Sequence, residues 1–146
     1  MDETYYLRFP SVLKKALLNR KVVFDAFLIC HYEPFFAYRA IDRKKDDGTP
    51  INRKDFRSYA ELHVDGVFKG RVRKNISFYG CSLFTNLNEM KEKMNCKLPG
   101  ISDSQKIIAG YVKDSNGPCA VKNENSHVDW WLFEGCDPSS DFEVMS

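Results

Sequence analysis

Four side chains stand out as able to do chemistry: Arg39, Tyr79, Ser82 and His127. Arg39 lies inside the apolar run Phe35 to Ile41. Its planar guanidinium fork matches a phosphate or carboxylate, so it is a candidate anion clamp. A strand residue on the wet face of a sheet accounts for it equally well. The run Tyr79-Gly80-Cys81-Ser82 places two hydroxyls around a glycine that permits close approach of a ligand. Ser82 can instead satisfy backbone groups, and Cys81 reads better as a small buried residue than as a nucleophile. His127 and Asp129 are two apart, hence on one face of a strand, where the carboxylate can orient the imidazole. Two polar residues on a solvated face are the plain alternative. A nucleophilic Cys81 with His127 and Asp129 is a weaker third arrangement. Trp130 and Trp131 point opposite ways, one to anchor the core and the other to line a pocket or partner surface.

The elements that position these residues centre on a strand-helix-strand unit over 76–112. Ile76 to Phe84 reads as a strand interrupted at Gly80-Cys81, by a bulge or a close backbone approach. Asn86-Leu-Asn-Glu89 resembles a capping box, with Leu87, Met90 and Met94 at helical spacing behind it. Ile107 to Val112 is the next strand. A parallel pair with a crossover would put Gly80 to Thr85 at a strand's carboxyl end, where α/β sheets tend to bind ligands. Upstream, Pro10 to Arg20 predicts a helix, with a helical continuation favoured over a strand for Lys21 to Tyr32. Phe35 to Ile41 is a strand and Lys44 to Pro50 a loop. Asp55 is a candidate cap for a turn leading into a short helix, and Asp65-Gly66 marks a turn. Downstream, Cys119 to Lys122 and His127 to Phe133 pair as a hairpin. The polar stretch Pro138 to Ser146 is expected to fray. The expected fold is α+β, with an N-terminal helical segment and a mixed sheet in one domain over 1–137, followed by a polar C-terminal tail over 138–146.

Length and composition bound the function. A chain of 146 residues is one domain by size and buries roughly 70% of its unfolded surface. Its 11 Phe and 7 Tyr make rings abundant in core and pocket alike. The net charge of +2 gives no global pull toward nucleic acid or anionic membrane. The basic clusters Arg43 to Lys45, Arg53-Lys54 and Lys69 to Lys74 read as solvated surface, or more sharply as a landing site for a phosphate-bearing ligand. The 5 cysteines lack metal or redox spacing, so free thiols in a reducing, cytoplasmic setting are expected. The three histidines lack ligand spacing, so no metal is expected. No run is long and apolar enough for a membrane span, and the N-terminus lacks the plan of a signal peptide.

The order of parts resembles a small ADP-ribosyltransferase-like domain. Phe36-Ala37-Tyr38-Arg39 is similar to the first-strand arginine that holds the dinucleotide in that superfamily. Phe78 to Thr85, followed by a helix opening Thr-Asn-Leu-Asn-Glu, resembles its second motif. His127 falls where a late strand carries the third residue, usually glutamate; no glutamate leads that strand here, and Glu124 and Glu134 are poorly placed substitutes. The resemblance implies a nucleotide-type ligand, NAD in the first instance. Arg39 would grip phosphate, Tyr79 and Ser82 would position sugar or base, and His127 would orient or polarise. The rival class is a non-catalytic module that binds a protein partner, such as an immunity, antitoxin or regulatory protein.

Overall fold

A computed structural model describes residues 3–62, 74–95, 105–121 and 125–145. The Asp65-Gly66 turn and most of the Lys69 to Lys74 cluster lie outside the described residues. Two short N-terminal helices, α1 (Glu3–Tyr6) and α2 (Ser11–Leu18), lead into β1 (Leu28–Ile29) and the long strand β2 (Phe35–Lys44). A 3-10 turn (Arg53–Phe56), α3 (Tyr59–Leu62) and a second 3-10 turn (Ile76–Tyr79) precede β3 (Cys81–Phe84). Then come α4 (Leu87–Asn95), β4 (Gln105–Val112), β5 (Cys119–Val121), β6 (His127–Trp130) and β7 (Phe142–Val144). The seven strands form one sheet in the order β1-β5-β6-β3-β2-β4-β7. The architecture is α+β.

Every pairing among the described strands is antiparallel, which corrects the expected mixed sheet. β3 and β4 do run parallel to each other, because each is antiparallel to β2. They are not neighbours, however: β2 is inserted between them. The crossover through α4 therefore spans a strand, and the crevice expected beside an adjacent parallel pair does not form.

Helix α2 stops where its predicted continuation would begin. Arg20 takes the left-handed conformation, φ 58°. Its amide donates to the Leu17 carbonyl, and the Lys21 amide donates to that of Ala16 at 2.9 Å. This is a Schellman closure with an arginine at the position usually given to glycine. Residues 21–27 are irregular, and Leu28–Ile29 pair with β5 as a strand. Ile76–Tyr79 likewise form a 3-10 turn instead of a strand, because the Asn75 side chain caps the Ser77 amide. Gly80 shows the close approach expected of it: a Cβ there would lie 3.1 Å from Trp131 Nε1.

Alternation along the strands sorts the sheet into two faces. Ala37, Ile41, Cys81, Leu83, Ile108, Val112, Val128 and Trp130 pack with Phe56 and Phe142 on one face. Tyr38, Ala40, Phe84 and Ile107 pack under Leu87 and Met90 of α4 on the other. The polar stretch after 137 does not fray. Phe142 is buried beside Phe56 and Trp130, and β7 closes the sheet edge against β4. One ring inside an otherwise polar segment supplies the burial that docks it.

Candidate functional site

The four candidate residues do not share one hollow. Register and alternation put Arg39, between Ala37 and Ile41, on the Phe56 face. Ser82 and His127 lie on the α4 face, as partners in the β3–β6 ladder: Ser82 opposite Asp129, Phe84 opposite His127. Tyr79 sits in the 3-10 turn before β3, buried against Phe78.

Arg39 acts as an internal brace. Its Nε donates to the Asp55 carbonyl at 2.8 Å, one terminal nitrogen to the Ser82 carbonyl at 2.7 Å and the other to the Arg57 carbonyl at 3.1 Å. Three of the five N–H groups of the fork are thus spent on backbone acceptors. They tie the strand bearing Ser82 to the turn at Arg53–Phe56 and to Arg57. Arg43, two turns of the pleat further along, does similar work: its guanidinium grips the Asp55 carboxylate bidentately and also reaches the Pro50 carbonyl. A recess of about 230 Å³ beside these two arginines is also lined by Asp42, Asp47 and Asp55. Its cations face carboxylates, so it has little pull on an anion.

Two caps hold that turn, and both are legible in the sequence. Asn52 accepts from the Lys54 amide while the Asp55 carboxylate accepts from the Asn52 amide, a reciprocal capping box. Asp55 therefore closes the turn from its third position; it does not head it. Ser58-Tyr-Ala-Glu61 repeats the pattern at α3, with Ser58 Oγ accepting from the Glu61 amide and the Glu61 carboxylate accepting from the Ser58 amide. The Ser-x-x-Glu spacing would have located this helix start. At α4 the expected box is only half present. Asn86 Oδ1 accepts from the Glu89 amide at 3.1 Å. The Glu89 carboxylate turns away and accepts from the amide and hydroxyl of Ser126, at 2.8 and 2.6 Å. Those two bonds hold its pKa below the usual glutamate range, and they staple α4 to the residue before His127.

The chemistry-bearing pair is Ser82 and His127. Ser82 Oγ and His127 Nε2 are 2.6 Å apart, and both residues are partly exposed. Which of them donates depends on the imidazole tautomer. The Phe84 ring packs edge-on against the imidazole, centroids 5.2 Å apart. Behind them Asp129 is buried, with Oδ2 accepting from Ser77 Oγ at 2.8 Å. Its Oδ1 lies 3.8 Å from His127 Nε2, too far for a direct hydrogen bond. Both the hydroxyl and the carboxylate approach the same ring nitrogen. A nucleophile triad needs the carboxylate on the other one, so this geometry does not activate Ser82 in that way. Ser77 is the member of the cluster that the sequence does not signal, since nothing in its spacing points to β6.

Cys81 belongs to the opposite face, in the core beside Leu83 and Trp130. Burial pushes its thiol pKa up, and the Arg39 charge only partly opposes this. The Cys81, His127 and Asp129 arrangement is therefore not assembled. Cys81 and Tyr79 together line a closed void of about 10 Å³, room for a single water at most. Trp130 and Trp131 do enter different clusters, but both are fully buried. Trp130 donates to the Gly117 carbonyl and Trp131 to that of Ile76. Neither is available to a partner, which corrects the expected exposed tryptophan.

Among the described residues, no group of acidic, histidine and cysteine side chains is arranged to hold a metal ion, and no helix is long and apolar enough to cross a membrane. Compared with protein-family models, with curated proteins and with solved structures, the chain finds no match in any of the three.

Proposed function

We propose that this chain is a nucleotide-type ligand-binding domain whose recognition centre is the Ser82–His127 pair on the α4 side of the sheet. The observation that carries the reading is the 2.6 Å contact between a hydroxyl and an imidazole, both open to solvent and bordered by the Phe84 ring. Such a pair offers donor and acceptor together at a partly exposed edge, a combination that suits the polar edge of a base or the hydroxyls of a sugar. The buried Asp129 and the Glu89–Ser126 staple fix where the pair sits. The resemblance to ADP-ribosyltransferases makes NAD the first ligand to try. Transfer of ADP-ribose would be the catalytic extension. The bond from the sugar carbon to nicotinamide would then break, nicotinamide leaving with the electron pair, and a polar group of this site would stabilise the positive charge that develops at that carbon until an acceptor nucleophile bonds to it.

Calorimetry with NAD and related nucleotides tests the reading, using wild type, Ser82→Ala and Arg39→Lys. Binding by wild type and its loss in Ser82→Ala is the expected result. Absence of heat with every nucleotide tried would end the proposal.

A second reading, a protein-interaction module, draws on a different observation. Phe36 and Tyr111 face each other across β2 and β4, rings 5.3 Å apart, and are 43% and 50% exposed. Tyr38 extends the patch. It predicts a stable complex that Phe36→Ser disrupts and Ser82→Ala does not, read by co-purification.

A further inference from the structure

We infer that the open groove between the end of α2 and the start of the Ile76–Tyr79 turn binds the phosphoryl groups of a phosphate-bearing ligand. The inference rests on the nucleotide reading above and assigns the charged end of that ligand. The groove has a volume of about 500 Å³ and is lined by Arg20, Lys21, Val22, Val23, Lys74, Asn75 and Ile76. Among the described residues, three cations line it and no carboxylate does. All three are exposed, and none forms an ion pair with another described residue.

The Arg39 recess is the opposite case. There, Asp42, Asp47 and Asp55 stand among the cations, and the guanidiniums are already bound to carbonyls and a carboxylate. In the groove, no described carboxylate stands beside the cations, and the buried Val22 and Ile76 lie among them. Low-dielectric walls beneath like charges focus their potential on an arriving anion.

The local backbone holds the cations in place. The Schellman closure fixes Arg20 and Lys21 against the last turn of α2. Asn75 Oδ1 is committed to the Ser77 amide at 3.0 Å, which leaves its amide nitrogen as a donor beside Lys74. The same turn connects the groove to the pair. Ile76 lines the groove, and the next residue, Ser77, donates to Asp129. Asp129 lies directly opposite Ser82 in the ladder. A ligand with phosphates in the groove therefore loads the wall that supports the Ser82–His127 pair.

Inorganic tripolyphosphate, ATP and NAD separate the possible sources of phosphate. Each is titrated against wild type and against the combined variant Arg20→Gln, Lys21→Gln, Lys74→Gln, with circular dichroism as the check on folding. Lys74→Gln alone serves if the combined variant does not fold. The expected result is binding of tripolyphosphate and of at least one nucleotide, weakening with salt and falling at least about tenfold when the three charges are removed. Lys74→Gln alone is expected to cost about threefold. If tripolyphosphate binds in this charge-dependent way but no nucleotide does, the groove stands and the nucleotide reading fails. If a nucleotide binds wild type and the variant equally, the nucleotide reading stands and the groove assignment is overturned. If no phosphate compound binds, both are overturned.

Discussion

The two faces of the sheet put the same kinds of polar side chain to opposite uses. On the Phe56 side, Arg39 and Arg43 are surrounded by acceptors, and the contacts that consume them are backbone carbonyls and Asp55. On the α4 side, Ser82 and His127 meet each other and remain partly open. Arg39 and Ala40 are adjacent in sequence, yet one faces the brace and the other the α4 cluster. A guanidinium set inside a strand is thus no sign of an anion site by itself. What matters is whether its donors are already spent, and sequence does not say.

The contrast can be broken most severely at the closed face. Phe142→Ala removes a ring packed on Phe56 and Trp130 and is expected to cost about 3–5 kcal/mol in denaturant unfolding. A change near zero would mean that the last strand does not seal this face. Arg39→Ala is next, at about 2–4 kcal/mol, because three carbonyls lose a charged donor. Arg39→Lys should recover little of that, since one ammonium cannot span three acceptors. An anion clamp at the surface would behave otherwise: either substitution would leave stability unchanged and weaken only ligand binding. Ser82→Ala and His127→Gln should each cost about 1 kcal/mol or less, while removing ligand binding. Stability loss there as large as at Arg39 would erase the distinction between the faces.

The pH response sharpens the same contrast. Burial raises the Cys119 thiol pKa to about 11 and pushes the Tyr32 phenol up as well. Both are neutral when protonated, so the folded state holds their protons more tightly than the unfolded chain. The thiol's contribution is complete below its ordinary value near 9 and is lost as pH rises through about 11, whereas the phenol's begins to be lost only above its ordinary value near 10. Unfolding monitored from pH 8 to 11 should therefore show falling stability. The Glu89 carboxylate runs the other way, its pKa lowered by Ser126. Its contribution is present above the ordinary glutamate value and lost as pH falls below it. Glu89→Gln should flatten that acid limb and loosen the chain ahead of His127, read by amide exchange at Ser126.

Much of the scaffold was legible because it rests on local rules. The apolar runs Phe35 to Ile41 and Ile107 to Val112, the apolar stripe of α2, and the late hairpin all follow from local pattern, and the α+β class follows from them. What escaped depended on contacts across the chain. Nothing local foretells that β2 inserts between β3 and β4, that Arg20 adopts a left-handed backbone, or that Phe142 draws a polar segment onto the sheet edge. At the site, their chemistry marks Ser82 and His127 in the sequence, and the two do meet. Its chemistry marks Arg39 equally, but strand alternation turns it to the other side. Tyr79, read as a ligand hydroxyl, is drawn into the core by the turn that Asn75 caps.

The most direct test is an NMR titration with NAD and a panel of nucleotides, following the His127 imidazole carbons and the Arg39 Nε–H together. The account predicts saturable shifts at His127 and at the Ser82 amide, with the Arg39 signal essentially unmoved. Shifts centred on Arg39, or no shift at His127 with any nucleotide, would contradict it.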